Sequence, residues 1–319
     1  MPLPFQSASP DEPLSRLLGS VLAPPAPGPS LLEPFWFEHA IRAQAWPSSF
    51  DHAALGGLHA PSVGLAFACG YQASLRRLVP SLPPSALVSL AVTEKDGNGP
   101  AAIATELHDD GLRGTKVFAT LAAPDRPLLV LASEGDDGER KRLRLFRLTG
   151  REPGLTIAQG PRPLFVPEIT HAVVQLDGVH AEALEGDGWG DYVKPFRTLE
   201  DVHVIGAVLA YAVAWSGRLG WPLSLREQGV AALCAGRALA SSDARSPAVH
   251  VAVAGWLHSV TEFLQRLPFH RAPEAVGAAW ERDKALLQVA SGARVARSRR
   301  AWERLGVTPC PAVGEELRE

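Results

Sequence analysis

Three successive textures in the chain predict an α+β protein with an N-terminal helical region, a middle antiparallel β-barrel or sandwich and a C-terminal four-helix bundle. Up to about residue 84 apolar residues recur at helical spacing. From Ser85 to Val179 short alternating runs are separated by turn formers without intervening helices, and beyond Gly190 long periodic apolar segments return. The expected units are 31–84, 85–183 and 184–306, flanked by a flexible Pro-rich arm, 1–30, and a tail, 307–319.

In the first unit, Phe35, Trp36, Phe37, Ile41 and Trp46 have the spacing of an apolar helix face, and Phe50 to Leu58 suits a second short helix. Gly64 to Leu75 reads as a tightly packed helix that stops before Pro80, with small residues that let neighbouring backbones approach. In the middle unit, Leu128-Leu129-Val130-Leu131 is a buried strand. Arg144 to Leu148 alternates, and Gly154 to Ile157 and Ala172 to Leu176 are further strands. Leu184 to Gly190 is a Gly-rich connector. Helices are then expected over Leu199–Ser216, Leu225–Ala240, Ala248–Leu267 and Pro273–Leu305, joined by short Pro- and Gly-containing links that favour an antiparallel bundle.

Composition narrows the function. An apolar fraction of 46% and a charged fraction of 20% match a soluble globular protein. Each apolar run is interrupted by Pro, Gly, Arg or His before membrane-spanning length, so no membrane association is expected. The opening residues lack a basic region and an uninterrupted apolar core; no secretory signal is expected, and the cytoplasm is the expected compartment. Cys69, Cys234 and Cys310 have no metal-ligand spacing, and the histidines are not paired with other ligands, so no metal site is expected. A net charge of −3 gives no reason to expect nucleic acid, and the absence of GxSxG removes one common hydrolase signature.

The most informative stretch runs from Leu87 to Thr120. Val88, Leu90 and Val92 alternate, Thr93 to Pro100 forms a polar turn, and Gly114-Thr115-Lys116-Val117-Phe118-Ala119-Thr120 follows. A threonine at a strand end before a Gly-rich turn offers a hydroxyl and open N–H groups to a ligand. On the residues alone, Phe118 also reads as a core aromatic between edge threonines. Together the two halves resemble the TEPxxGSD and GxKxWIT motifs of the acyl-CoA dehydrogenase family: Thr93-Glu94 matches the first, and Gly114, Lys116, Phe118 and Thr120 match the second. Leu184 to Gly190 resembles the family's LLGxxGxG connector, and Leu219 to Gln228 resembles its FGxPIxxxQ. The resemblance runs from Phe50 to Gly306 and implies an acyl-CoA dehydrogenase-like fold.

It also implies a chemistry. FAD is the implied cofactor, with Thr93, Phe118 and Thr120 against its ring system and Arg218 and Gln228 as further contacts. Arg218 stands in for a family arginine whose place is taken by Ser216, and Asn98 or Gly99 stands where the family has a serine. The usual base, a glutamate in a loop followed by Gly-Thr near the C-terminus, has no counterpart. The isovaleryl type instead places its glutamate early in the first bundle helix, and Thr198-Leu199-Glu200-Asp201 aligns with that segment. Glu200 is therefore the candidate base; equally it reads as a first-turn acid at the positive end of a helix dipole. Asp201 and His203 are its neighbours, His203 reading as a packed histidine, and Tyr192 to Arg197 reads as a solvated loop or a phosphate contact. The implied function is α,β-dehydrogenation of an acyl-CoA or related thioester, with an electron-transfer flavoprotein as partner and assembly into a homo- or hetero-oligomer. Two rivals stand beside it: a non-catalytic relative that keeps the fold for association or thioester binding, and a different flavin-dependent oxidation.

Overall fold

The computed structural model describes residues 13–307 apart from 137 and 139. Its N-terminal part holds four helices, α1 (Pro13–Leu22), α2 (Leu32–Ala43), α3 (Ser49–His59) and α4 (Val63–Leu78). The first corrects the expected arm. Leu17 and Val21, four residues apart, lie on one face and are fully buried, so α1 docks against α3, α5 (Lys194–Arg218) and α6 (Leu223–Ala240). The Pro-rich link behind it is also fastened, Gly28 N donating to His59 O at 2.8 Å and Arg218 to Pro25 O at 2.7 Å. Residues 1–12 and 308–319, which hold the rest of the arm and nearly all of the tail, lie outside the described residues.

Helix α4 is buried on almost every side, and its polar residues extend into the β-domain. Gln72 bonds both backbone groups of Val88, donating to its O at 2.7 Å and accepting from its N at 3.0 Å, while Leu90 N donates to the Tyr71 hydroxyl at 2.9 Å. Side chains of a helix thus satisfy the edge of the strand that follows.

Strands β1 (Ser89–Ala91), β2 (Glu106–His108), β3 (Gly111–Thr120), β4 (Leu128–Asp136), β5 (Lys141–Leu148), β6 (Leu155–Gln159), β7 (His171–Val179) and β8 (Glu182–Ala183) form one curled sheet ordered β6-β7-β3-β2-β4-β5-β8, with β1 also on β4. It is not wholly antiparallel: β1 and β2 both run parallel to β4, because β3 turns back from β2 to pair with β7 and leaves β4 beside the two earlier strands. Strict alternation divides the core. Leu129, Leu131, Leu143 and Leu145 join the helical core, whereas Val130, Phe146, Leu148, Val174 and Leu176 fill a second core inside the curl.

Helices α5, α6, α7 (Pro247–Arg266), α8 (Glu274–Asp283) and α9 (Ser291–Arg304) complete the bundle. By length and composition α5 and the turn before it qualify as a membrane span, contrary to the sequence expectation, but 89% of the most apolar window is buried inside the protein, which makes α5 the central core helix. The fourth bundle segment is broken rather than continuous. Asp283, fully buried, accepts from Val166 N at 2.7 Å and from Arg282, which pins the end of α8 to the β-domain. A short 3₁₀ turn and left-handed Ala290 then redirect the chain into α9, which packs on α7.

The small residues expected in α4 allow its contact with α5. A Cβ on Gly70 would sit 2.5 Å from Val204 Cα and 2.7 Å from His203 O, both backbone atoms that cannot yield locally. Gly70→Ala is expected to destabilise the fold by about 1–3 kcal/mol or more through overpacking, read as a lower urea midpoint at unchanged slope.

Candidate active site

The two halves of the Leu87–Thr120 stretch are joined by a buried ion pair. Lys116 is 0% exposed and donates to Glu94 Oε1 at 2.5 Å; Glu94, 6% exposed, also accepts from Ala104 N at 2.7 Å, Thr105 N at 3.1 Å and Thr105 Oγ1 at 2.8 Å. Burial alone raises the Glu94 pKa, but Lys116 and these donors hold it below the usual carboxylate range; burial brings the Lys116 ammonium down to about 8. Gly114, at φ +150°, is required by the same packing, since a Cβ there would lie 2.5 Å from Thr105 Oγ1. Val117 N donates to Thr93 O at 2.8 Å, so the strand end that carries Thr93 is locked to β3.

Just beyond this lock the β3 to β7 register shifts between Lys116 and Ala119, and Phe118 takes a left-handed φ of 55°. Such a conformation in an aromatic residue stores roughly 1–3 kcal/mol of strain. Its result is exposure: Phe118 is 53% exposed, its ring edge-on to His171 at 6.3 Å. Thr120 Oγ1 meets His171 Nδ1 at 3.3 Å, and burial, partly opposed by a hydrogen bond to the Phe118 backbone, lowers the histidine pKa. Thr93 and Thr120 are both part-exposed. The bulge therefore presents an open aromatic face with hydroxyls nearby, not the core aromatic that the residues alone also allowed.

Opposite in function stands the start of α5. A π-helical turn over Gly188–Val193, capped by Asp187, leads into it. Arg197 stacks over Trp189 with its guanidinium carbon 5.0 Å from the ring centroid, and its Nη2 donates to Asn98 O and Oδ1, each at 3.2 Å. Asn98 belongs to the turn that begins at Thr93, so Arg197 ties the helix to the first motif. One helical turn on, Glu200 is part-exposed, with protein packed around most of it. Among the described residues nothing hydrogen-bonds to its carboxylate. Burial, reinforced by the Asp201 carboxylate and opposed by Arg294, Arg197 and Arg297, pushes its pKa up to about 7. Asp201 is claimed by α9, accepting from Arg294 Nε at 2.8 Å and from Arg297.

The other expected residues lie elsewhere. His203 is a packed histidine: Nδ1 donates to Leu199 O at 2.7 Å, Nε2 accepts from Ser49 Oγ at 2.8 Å, and burial lowers its pKa to about 4. The Arg218 guanidinium is engaged inside its own chain by Pro25 O at 2.7 Å and Leu58 O at 2.6 Å, with Nη1 buried and unpartnered. Gln228 is exposed on α6; counted strictly from Leu219, the FGxPIxxxQ spacing falls on Glu227, also exposed. Arg294 and Arg297 were not anticipated, although their spacing of three in a segment poor in acids was a visible sign of a charged helix face.

No protein-family model matches the chain, and no curated protein matches it in sequence. Its shape is another matter. Similar solved structures include PigA with FAD and proline, at TM-score 0.63 and 12% identity over 96% of this chain and 100% of that one. Butyryl-CoA dehydrogenase from Megasphaera elsdenii follows at TM-score 0.62 and 15% identity, over 95% of this chain and 100% of that one. Glutaryl-CoA dehydrogenase from Mycobacterium smegmatis gives TM-score 0.58 and 15% identity, over 96% and 97%. The fold is that of the acyl-CoA dehydrogenases. Within this acyl-CoA dehydrogenase fold the β-domain offers the Phe118 face and α5 offers Glu200, and the Arg197–Asn98 bridge holds the two elements together.

Lys116→Met leaves Glu94 buried without its cation and is expected to cost about 3–5 kcal/mol of stability. Adding Glu94→Gln should recover part of that loss; chemical denaturation of the single and double variants measures both.

Proposed function

We propose that the protein is a flavin-dependent dehydrogenase of the acyl-CoA dehydrogenase type, acting on an acyl thioester with Glu200 as base. The observation that carries the reading is the Glu200 carboxylate: unpartnered, raised to about 7, and linked through Arg197 and Asn98 to the turn that starts at Thr93. A carboxylate so placed suits removal of a proton next to a carbonyl, because its pKa lies near neutral pH and no internal hydrogen bond must break first.

The chain fits the ring end of FAD. Phe118 presents an exposed aromatic surface on a strained bulge, suited to stack on an isoalloxazine, and the part-exposed Thr93 and Thr120 supply hydroxyls beside it. When bound, the flavin supplies the hydride acceptor for the β carbon. The residues of this chain do the rest: Glu200 takes the α proton on its carboxylate, Asp201 keeps that carboxylate from becoming too weak a base, and Arg294 and Arg297 hold Asp201 in place. The diphosphate end draws no comparable support from Arg218, which is engaged by Pro25 and Leu58. We therefore assign that end to a second subunit of an oligomer, and reoxidation to an electron-transfer flavoprotein.

The engaged Arg218 also favours the second reading, a non-catalytic protein that keeps the fold for association. Visible absorption after incubation with FAD and removal of the unbound fraction separates the two. The enzyme reading expects a retained yellow chromophore, weakened in Phe118→Ala; a colourless wild-type protein supports the association reading.

In flavin-loaded protein, Glu200→Gln should slow substrate-dependent bleaching by about 10²–10⁴-fold. The base works deprotonated, so below about pH 7 the wild-type rate should fall about tenfold per pH unit and above it level off. A pH profile flat from 5 to 8 would remove Glu200 from the role.

A further inference from the structure

Arg197 makes no salt bridge among the described residues, although its charge and that of Glu200 act on each other. Its hydrogen-bond partners are the two neutral oxygens of Asn98, and below it lies the neutral ring of Trp189. Arg300, one turn beyond Arg297 on α9, likewise has no carboxylate partner among the described residues, and Arg294 and Arg297 share the single Asp201. The charges of Arg297 and Arg300 both act on Arg197. Around Glu200 and Asp201 the chain thus gathers Arg197, Arg294, Arg297 and the exposed Arg300, more cation than these two acids balance. Arg197 and Glu200, three residues apart, share one face of α5, and both are part-exposed. A plain alkyl chain laid against this cluster would strip water from an unpaired guanidinium and return nothing for it, whereas a carboxylate would receive charge-assisted hydrogen bonds.

We propose that the acyl group taken by this site carries a carboxylate of its own, received by Arg197. The substrate class is an acid-bearing acyl thioester, a half-thioester of a dicarboxylic acid, rather than a simple fatty acyl chain. The proposal rests on the reading of the surroundings of Glu200 as the thioester site. Arg197 acts as a binding residue, and its tether to Asn98 and its stack on Trp189 hold the guanidinium fork in one orientation, which lowers the entropy lost on capture.

The anion met by Arg197 has a second conceivable source, the phosphates of a coenzyme A carrier. N-acetylcysteamine thioesters remove that source, because the handle is neutral. Binding of glutaryl- and butyryl-N-acetylcysteamine and of butyryl-coenzyme A to the purified protein is followed by tryptophan fluorescence, with Trp189→Phe to assign the signal and calorimetry as an independent measure. The glutaryl thioester is expected to bind about tenfold or more tightly than the butyryl one. Arg197→Met should erase that preference and Arg197→Lys should keep part of it. Equal binding of the two neutral-handle thioesters in the wild type overturns the proposal, and so does an Arg197 dependence seen with butyryl-coenzyme A alone. The comparison needs no functional variant, so a poorly folded Arg197→Met does not blunt it. Glutaryl preference in a protein whose flavin never bleaches would refute dehydrogenation and leave the anion site standing.

Discussion

The burial of one lysine beside one glutamate is the constraint on which the β-domain face depends. Removing water from Lys116 and Glu94 costs several kcal/mol for each ion, a penalty offset only when geometry and remaining hydrogen bonds are nearly complete. Here they are: Ala104 N, both polar groups of Thr105 and the ammonium all converge on one carboxylate. Convergence on that scale fixes the Thr93 strand end, the 104–105 segment and the middle of β3 as one rigid piece. Only against such a piece can the next residues hold an unfavourable conformation, and Phe118 does so two positions later. The exposed aromatic face is thus a product of the buried ion pair beneath it.

The helical side is governed by a similar opposition between stability and chemistry. Glu200 ordinarily titrates near 4.5 and is raised to about 7 in the folded chain. The folded state therefore binds more protons than the unfolded one between these values, and this group's contribution to stability falls as pH rises from about 4.5 to about 7. Asp201, next in sequence, takes the opposite arrangement, two arginines from α9 satisfying it. The same helix turn thus holds one acid bonded by two arginines of α9 and one without a hydrogen-bond partner among the described residues.

Much of this was legible in the sequence where local pattern and physical cause coincide. Alternation in Leu128–Leu131 and Arg144–Leu148, helical period in the bundle, and the pairing of Thr93-Glu94 with Gly114 to Thr120 all survive because each reflects which side faces a core. What escaped was decided by contacts remote in sequence. Leu17 and Val21 were hidden in a Pro-rich neighbourhood, and it is α3, α5 and α6 that give that short helix a surface to bury against. The break at Ala290 follows from Asp283 reaching Val166, more than a hundred residues away. The parallel pairings of β1 and β2 with β4 depend on where β3 goes, which three-residue strands do not announce. At the candidate site, Glu200, Phe118 and the threonines were nominated through motif spacing, whereas Arg294 and Arg297 entered only once α9 brought them to Asp201 on α5.

Arg218 shows how a plausible chemical residue can be diverted by packing. Its position near the end of α5 invited a phosphate, yet the Pro-rich link ahead of α2 crosses that end and brings Pro25 O to the guanidinium, with Leu58 O from α3 beside it. Backbone carbonyls at a helix C-terminus and in a turn must find donors when covered, and Arg218 provides them for two segments at once. The docking of residues 13–30, which the sequence presented as an arm, therefore has a consequence at the far end of the bundle. It turns a part-exposed arginine into a structural clamp. On the proposed reading, a flavin diphosphate held by a second subunit would tie cofactor retention to association, so that subunit contacts and flavin occupancy become one equilibrium rather than two.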